Sequence, residues 1–170
     1  MALEASFKEL LARLTGAREA FTDLRVAVIE DSPRKGAPVL VEQLGDAATD
    51  LLGWLEEAAE AADLGLREAE RPRDLEGAEA ALLTCAERCQ QVAERFASSL
   101  LSCERIVSIH DLGRERGREW RLWSGSVEEA IHHGQEGLLG VFGALFGCFR
   151  EIAERTEEKR DATPRIRRAG

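Results

Sequence analysis

Residues 3–28, LEASFKELLARLTGAREAFTDLRVAV, decide the fold. The large apolar side chains Leu3, Phe7, Leu10, Leu14, Phe21, Leu24 and Val28 recur at intervals of three, four and seven. At about 100° per residue, that spacing gathers them on one face of an α-helix. The next stretch, DSPRKGAP, ends the helix, because Pro33 and Pro38 push the residues before them out of the α region.

The same grammar repeats outward from this segment. A second segment, about Ala37 to Glu70, carries Leu40, Leu44, Ala47, Ala48, Leu51, Leu55, Ala58, Ala59 and Ala62, with Pro38 suited to its first turn. Its alanines imply close approach by a neighbouring helix. Pro72 breaks the chain again, and Asp74 is placed to cap a third helix running to about Leu112. The stripe of that helix reads Ala78, Leu82, Cys85, Cys89, Val92, Phe96, Cys103, Ile106 and His110. A fourth presents Trp120, Trp123, Val127, Ile131, Leu138, Phe142, Leu145, Phe149 and Ile152. Its start has two readings: a turn at Gly113 and Gly117, or a capping box at Ser126 and Glu129. No alternating β pattern of useful length occurs. The expectation is an all-α fold, an antiparallel up-down-up-down four-helix bundle with long helices of roughly 28–40 residues, forming rods roughly 45–55 Å long.

Composition agrees with one domain. The chain has 170 residues, 44% hydrophobic and 32% charged, which is enough apolar content for a core and argues against disorder. No run of 18 apolar residues could span a membrane. The N-terminus lacks the basic start and apolar block of a signal peptide, and four cysteines are too sparse for a disulfide framework, so a cytoplasmic location is expected. Tyr and Asn are absent and only three lysines accompany twenty arginines, which reads as a GC-rich, bacterial genome. Net charge is −9; residues 159–170 hold +4 of it, leaving −13 on residues 1–158. The expected division is a bundle over 1–158 and a basic flexible tail over 159–170. An acidic body repels nucleic acid and anionic membrane.

The segment QEGLLGVFGALFGCF sits worst with helix propensity. Gly134, Gly137, Gly140, Gly143 and Gly147 each forgo about 1 kcal/mol relative to alanine in a helix interior. With Leu138 at the centre of the apolar face, Gly140, Gly143 and Gly147 fall at about 200°, 140° and 180°, opposite the bundle core. Leu139 and Phe146 flank them at roughly 80–100°. Such a face admits a partner helix backbone at close range; a second copy is the simplest partner, as two-fold dimers are the commonest oligomers. A kink in the helix is the structural alternative. Small-residue pairs such as Gly143 and Gly147 also pack helices in lipid, and a membrane-interacting bundle is a further alternative.

Candidate chemistry is thin. Glu129 and His132 show the Glu-x-x-His spacing of ferritin-like metal sites, which need two such motifs and two more carboxylates; one is present. Cys85 and Cys89 lie one turn apart, with Cys148 expected opposite, although free core cysteines usually serve as small hydrophobes. The segment GRERGREWRLW places Arg118 and Arg121 beside Trp120 and Trp123, an interface-like composition. No catalytic triad signature, phosphate-cradling loop or Cys-x-x-Cys pair occurs.

Two local strings resemble known families. CERIVSIHDLGRE is similar to the phospho-accepting His-Asp segment of bacterial histidine kinase dimerisation helices, and loosely to the His-x-Leu-x-Gly neighbourhood of histidine phosphotransfer domains. The resemblance implies phosphotransfer through an exposed, mid-helix His110. It covers about ten residues, and Gly113 and Arg114 stand where the phosphotransfer family has a lysine. Trp123-Ser124-Gly125 resembles the Trp-x-Gly turn of small secreted helical hairpins, but the secretion motif of that family includes a Tyr this chain lacks.

The expected role is a non-catalytic protein–protein interaction module, an adaptor, scaffold or oligomerising protein with no cofactor and no metal. Its partner would be another protein or a second copy. The surface expected to carry it comprises Leu139, Gly140, Gly143, Phe146, Gly147, Arg118, Trp120, Arg121 and Trp123.

Overall fold

The computed structural model describes residues 2–33, 37–71 and 75–162. Five helices follow one another: α1 (Ala2–Ile29), α2 (Pro38–Glu70), α3 (Leu75–Ser99), α4 (Cys103–Glu115) and α5 (Arg118–Ala162). Among the described residues there is no strand.

The proline boundaries fall where the sequence puts them. α1 ends at Ile29, four residues before Pro33, and Pro38 opens α2 in the first-turn position, where its missing N–H costs nothing. Asp74, the expected cap of α3, lies outside the described residues. Every member of the deciding stripe, from Leu3 to Val28, is fully buried.

The packed pairs α1–α2, α2–α3 and α1–α5 run antiparallel. Gly65 of α2 lies on the Phe7 ring and Gly45 on Ile29 and Val28, which pairs α1 and α2 head to tail. The Arg88–Glu57 (2.7 Å) and Arg95–Asp50 (3.3 Å) ion pairs set the same sense for α2 and α3. These pairs are partly exposed, so they fix register more than stability, at about 0–1 kcal/mol each. α5 lies on α1 through Gly134 against Phe21 and Gly137 against Ala17, and is bolted at its start by the Trp123 indole N–H, which donates to the Ala27 carbonyl (2.9 Å). α5 meets α3 far less extensively than it meets α1.

The expected third helix is two helices. α3 stops at Ser99, residues 100–102 leave the helical path, and α4 begins after Ser102, whose φ of −61° and ψ of 133° are extended. Serine competes with helical hydrogen bonding, and Ser98, Ser99 and Ser102 cluster at the break. The interruption also shifts the helical phase. Cys103, Ile106 and His110, expected on the buried stripe, are exposed, while Ile109 and Gly113 are buried. α4 packs on α5 at Gly113, where an added Cβ would stand 3.2 Å from the Arg121 Cα.

Gly117, at φ +92°, turns the chain between α4 and α5. That conformation is open to glycine and costly for other residues. α5 then runs unbroken for 45 residues. The capping-box reading therefore fails, since Ser126 and Glu129 lie within the helix, and so does a break at the glycine run. Trp123, Ser124 and Gly125 are helical rather than a turn. The helix also continues into the expected tail, taking in Lys159 to Ala162; residues 163–170 lie outside the described residues.

Glycine replacements separate the two kinds of site. Gly65→Ala drives a methyl into the Phe7 ring and should lower unfolding free energy by about 1–3 kcal/mol in urea titrations. Gly143→Ala meets nothing within 4 Å and should raise it by up to about 1 kcal/mol.

Candidate interaction surface

The glycine run of α5 divides between two tasks. Gly134 and Gly137 face α1: a Cβ on Gly134 would stand 2.8 Å from the Phe21 ring, and one on Gly137 would stand 3.2 Å from the Ala17 Cα. Gly140 is half-buried beside Arg13, whose Cδ would stand 3.4 Å from a Cβ added there. Gly143 and Gly147 meet nothing. Part of the partner expected for this strip is thus α1 of the same chain, and the open part is confined to Gly140, Gly143 and Gly147.

Those glycines floor a groove of about 530 Å³ between α1 and α5. Its α1 wall is Ala5, Ser6, Glu9 and Arg13, with Glu9 and Arg13 paired at 2.8 Å. On the other flank of α5 stand Leu139 and Phe146, 67% and 72% exposed. Seven residues apart, they lie on one line along the helix, two turns from each other. Of the five residues grouped from sequence, Gly140, Gly143 and Gly147 line the groove, while Leu139 and Phe146 stand exposed on the same helix outside its lining.

The tryptophans do not join them. Trp120 and Trp123, expected at a partner surface, are buried and packed edge to face at 5.2 Å, where they join the two ends of α1 and α5. An indole is the largest apolar side chain, and its burial here outweighs its frequency at interfaces. Arg118 and Arg121 are exposed beside them. Leu122, 64% exposed, was not singled out from sequence; its signal was its place one residue off the buried stripe.

The remaining candidates show little chemistry. Among the described residues no group of three or more His, Cys, Asp or Glu side chains is placed to hold a metal ion. His132 instead faces Glu136, with Nε2 and the carboxylate 3.2 Å apart on the exposed side of α5. No helix among the described residues is long and apolar enough to cross a membrane. His110, with Asp111 beside it, is exposed near the middle of α4.

Cys85, Cys89 and Cys148 are buried together in the core, and Cys103 is exposed. The hydrogen bond with Cys89 pushes the Cys85 thiol well above the ordinary range, and burial and the neighbouring Cys89 and Cys148 push the same way. Burial, with a contribution from Glu151, pushes the Cys148 thiol up to about 12. These groups stay protonated, and a protonated thiol is a poor nucleophile and metal ligand.

Comparison with protein-family models, with curated proteins and with solved structures finds no match to this chain. The site therefore rests on its own geometry.

The thiols yield a direct check. An aromatic disulfide reagent at neutral pH should titrate one thiol, Cys103, in the native protein and all four after denaturation; rapid native reaction of three would contradict this account. Because the folded-state value of Cys148 lies above its ordinary 9.0, its contribution to stability is complete below about pH 9 and is lost as pH rises towards about 12.

Proposed function

We propose that this chain is a non-catalytic protein–protein interaction module that receives a partner helix on the outer face of α5. The observation that carries the reading is the exposure of Leu139 and Phe146 on the same helix as Gly143 and Gly147, where an added Cβ would meet nothing in the chain. Single exposed apolar residues are ordinary, but two large ones aligned along a helix and bordering a groove mark a contact surface. Glycines kept in a helix at a cost of about 1 kcal/mol each, with no intramolecular contact to justify them, point the same way. In this reading α3 and α4 act as one interrupted rod, and the chain is an antiparallel four-rod bundle whose last rod serves both core and partner. The partner is another protein or a second copy.

A photo-crosslinking residue at position 146 in the source cell should give a discrete adduct. The same residue at Leu64, exposed on α2, should not. Gly143→Leu, which fills the floor without touching the core, should abolish the adduct while leaving the thermal transition in place. Crosslinking at both positions alike, or at neither, would refute the surface.

One observation favours a second reading, phosphotransfer through His110: the side chain is exposed and mid-helix, as a phospho-acceptor must be. Incubation with acetyl phosphate should then produce an acid-labile, base-stable phosphoryl group that His110→Gln removes. Loss of labelling only on His132→Gln or His133→Gln would exclude His110.

A further inference from the structure

The charges along α5 identify the kind of partner that fits its outer face. Consider the arc from about 80° to 220° away from Leu138, which contains Leu139, Gly140, Gly143, Phe146 and Gly147. From residue 128 to 158 this arc also holds Glu128, Glu129, Glu136, Glu151, Glu154, Glu157 and Glu158. The only arginine or lysine on it is Arg150, while His132 is engaged with Glu136. The glutamates are not spread evenly. Residues 137–149 carry no charge, a window about 20 Å long, and acids stand at both ends of it. The α1 wall adds no net charge, because Glu9 is paired with Arg13.

A second copy is a poor occupant of this face. Two α5 helices crossing antiparallel about the middle of the window, between Phe142 and Gly143, set Leu139 against Phe146 of the other copy. They also bring Glu128 opposite the other copy's Glu157 and set the seven glutamates of one copy against the seven of the other, with Arg150, beside the other copy's Glu136, as the one offsetting cation at each end. A parallel pairing puts every glutamate beside its own equivalent. Like charges brought together in this way oppose association.

Resting on the interaction reading above, we infer that the outer face of α5 takes an amphipathic helix from another protein, apolar on one stripe for about four turns and rich in Lys or Arg at both ends. The stripe lies on the glycine floor with Leu139 and Phe146 along one side. The basic ends meet Glu128, Glu129 and Glu136 at one end of the window and Glu151, Glu154, Glu157 and Glu158 at the other. Contact with the apolar window sets residence time, while the acidic ends steer approach and fix the position of the helix along α5.

Labelled synthetic helices test this by fluorescence anisotropy against the full chain. One peptide has a leucine stripe with lysine ends, a second has glutamate ends, and a third scrambles the first so that its leucines surround the helix. The lysine-ended stripe peptide should bind, more weakly as salt rises. The double variant Leu139→Ser, Phe146→Ser should lose at least about tenfold in affinity, and so should the triple variant Glu136→Gln, Glu154→Gln, Glu157→Gln. All these positions are exposed, and circular dichroism checks that each variant keeps its helices. Equal binding of the scrambled peptide would reduce the effect to bulk charge and overturn the proposal. If the glutamate-ended peptide binds as tightly as the lysine-ended one and Phe146→Ser weakens both, the inferred charge of the partner is wrong while the docking face stands. Binding of any peptide that ignores Leu139 and Phe146 removes the face itself. A dimer in light scattering that Phe146→Ser dissociates would assign the face to a second copy and overturn the inference.

Discussion

The close approach of α5 to α1 governs the rest of the molecule. Gly134 accommodates the Phe21 ring and Gly137 lets the α5 backbone lie against Ala17, so a larger side chain would displace the ring at the first position and crowd the α1 backbone at the second. With the Trp123 indole holding the Ala27 carbonyl, these contacts fix how far α5 is rotated about its own axis as well as where it sits. That rotation turns Val141, Leu145 and Cys148 into the core and leaves Leu139 and Phe146 outside. Exposure of the apolar pair is therefore not a local accident of two residues. It follows from a helix oriented by its glycine side.

Much of this was legible from sequence because it rests on local rules. Helix type follows from the 3–4–7 spacing of Leu3 to Val28, and helix ends follow from Pro33 and Pro38, whose backbone restrictions need no tertiary context. The candidate surface was legible for a related reason: rotation by 100° per residue places Gly143 and Gly147 opposite Leu138 wherever the helix sits. What escaped was decided by small local energies or by tertiary contacts. The break at residues 100–102 involves no proline and no glycine, only serines whose modest preference for non-helical backbone is outweighed in many helices. Missing it carries a penalty beyond three residues, since three non-helical steps rotate all of α4 and move Cys103, Ile106 and His110 to the outside. Trp120 and Trp123 depart from the expected surface for a different reason. Composition suggests an interface, but which face an indole takes depends on the end of α1 packed against it.

The five glycines of α5 show why propensity alone is a poor guide. Each forgoes about 1 kcal/mol of helix stability, yet the helix is continuous because its apolar face is buried from Trp120 to Ile152. For Gly134 and Gly137 the loss is offset by packing that a side chain would prevent. Gly113 in α4 does the same at the crossing with α5. No such gain exists for Gly143 and Gly147, and the asymmetry between the inward and outward glycines is the reason to look for function on this side. The buried thiols lead to the opposite conclusion: Cys85, Cys89 and Cys148 have neighbours and burial enough to account for their presence as core side chains.

Charge then decides which partner the open side suits. An apolar window alone would be indiscriminate, and on a body carrying −13 over residues 1–158 it would still be available to any helix willing to pack there. Acids confined to the two ends change that. They lie more than a Debye length apart, about 8–10 Å at physiological salt, so each end acts as a separate electrostatic contact rather than as one diffuse field. A helix with a single basic end gains one contact and can slide along the floor. A helix with two gains both only in one position, where its apolar stripe also covers Leu139 and Phe146. The same arrangement disfavours self-association, because an antiparallel pairing about the window sets glutamates against glutamates, with Arg150 beside the other copy's Glu136 as the one offsetting contact at each end. In the proposed docking, selectivity for a basic-ended helix and the poor fit of a second copy have one physical source, the placement of glutamates outside residues 137–149 rather than within them.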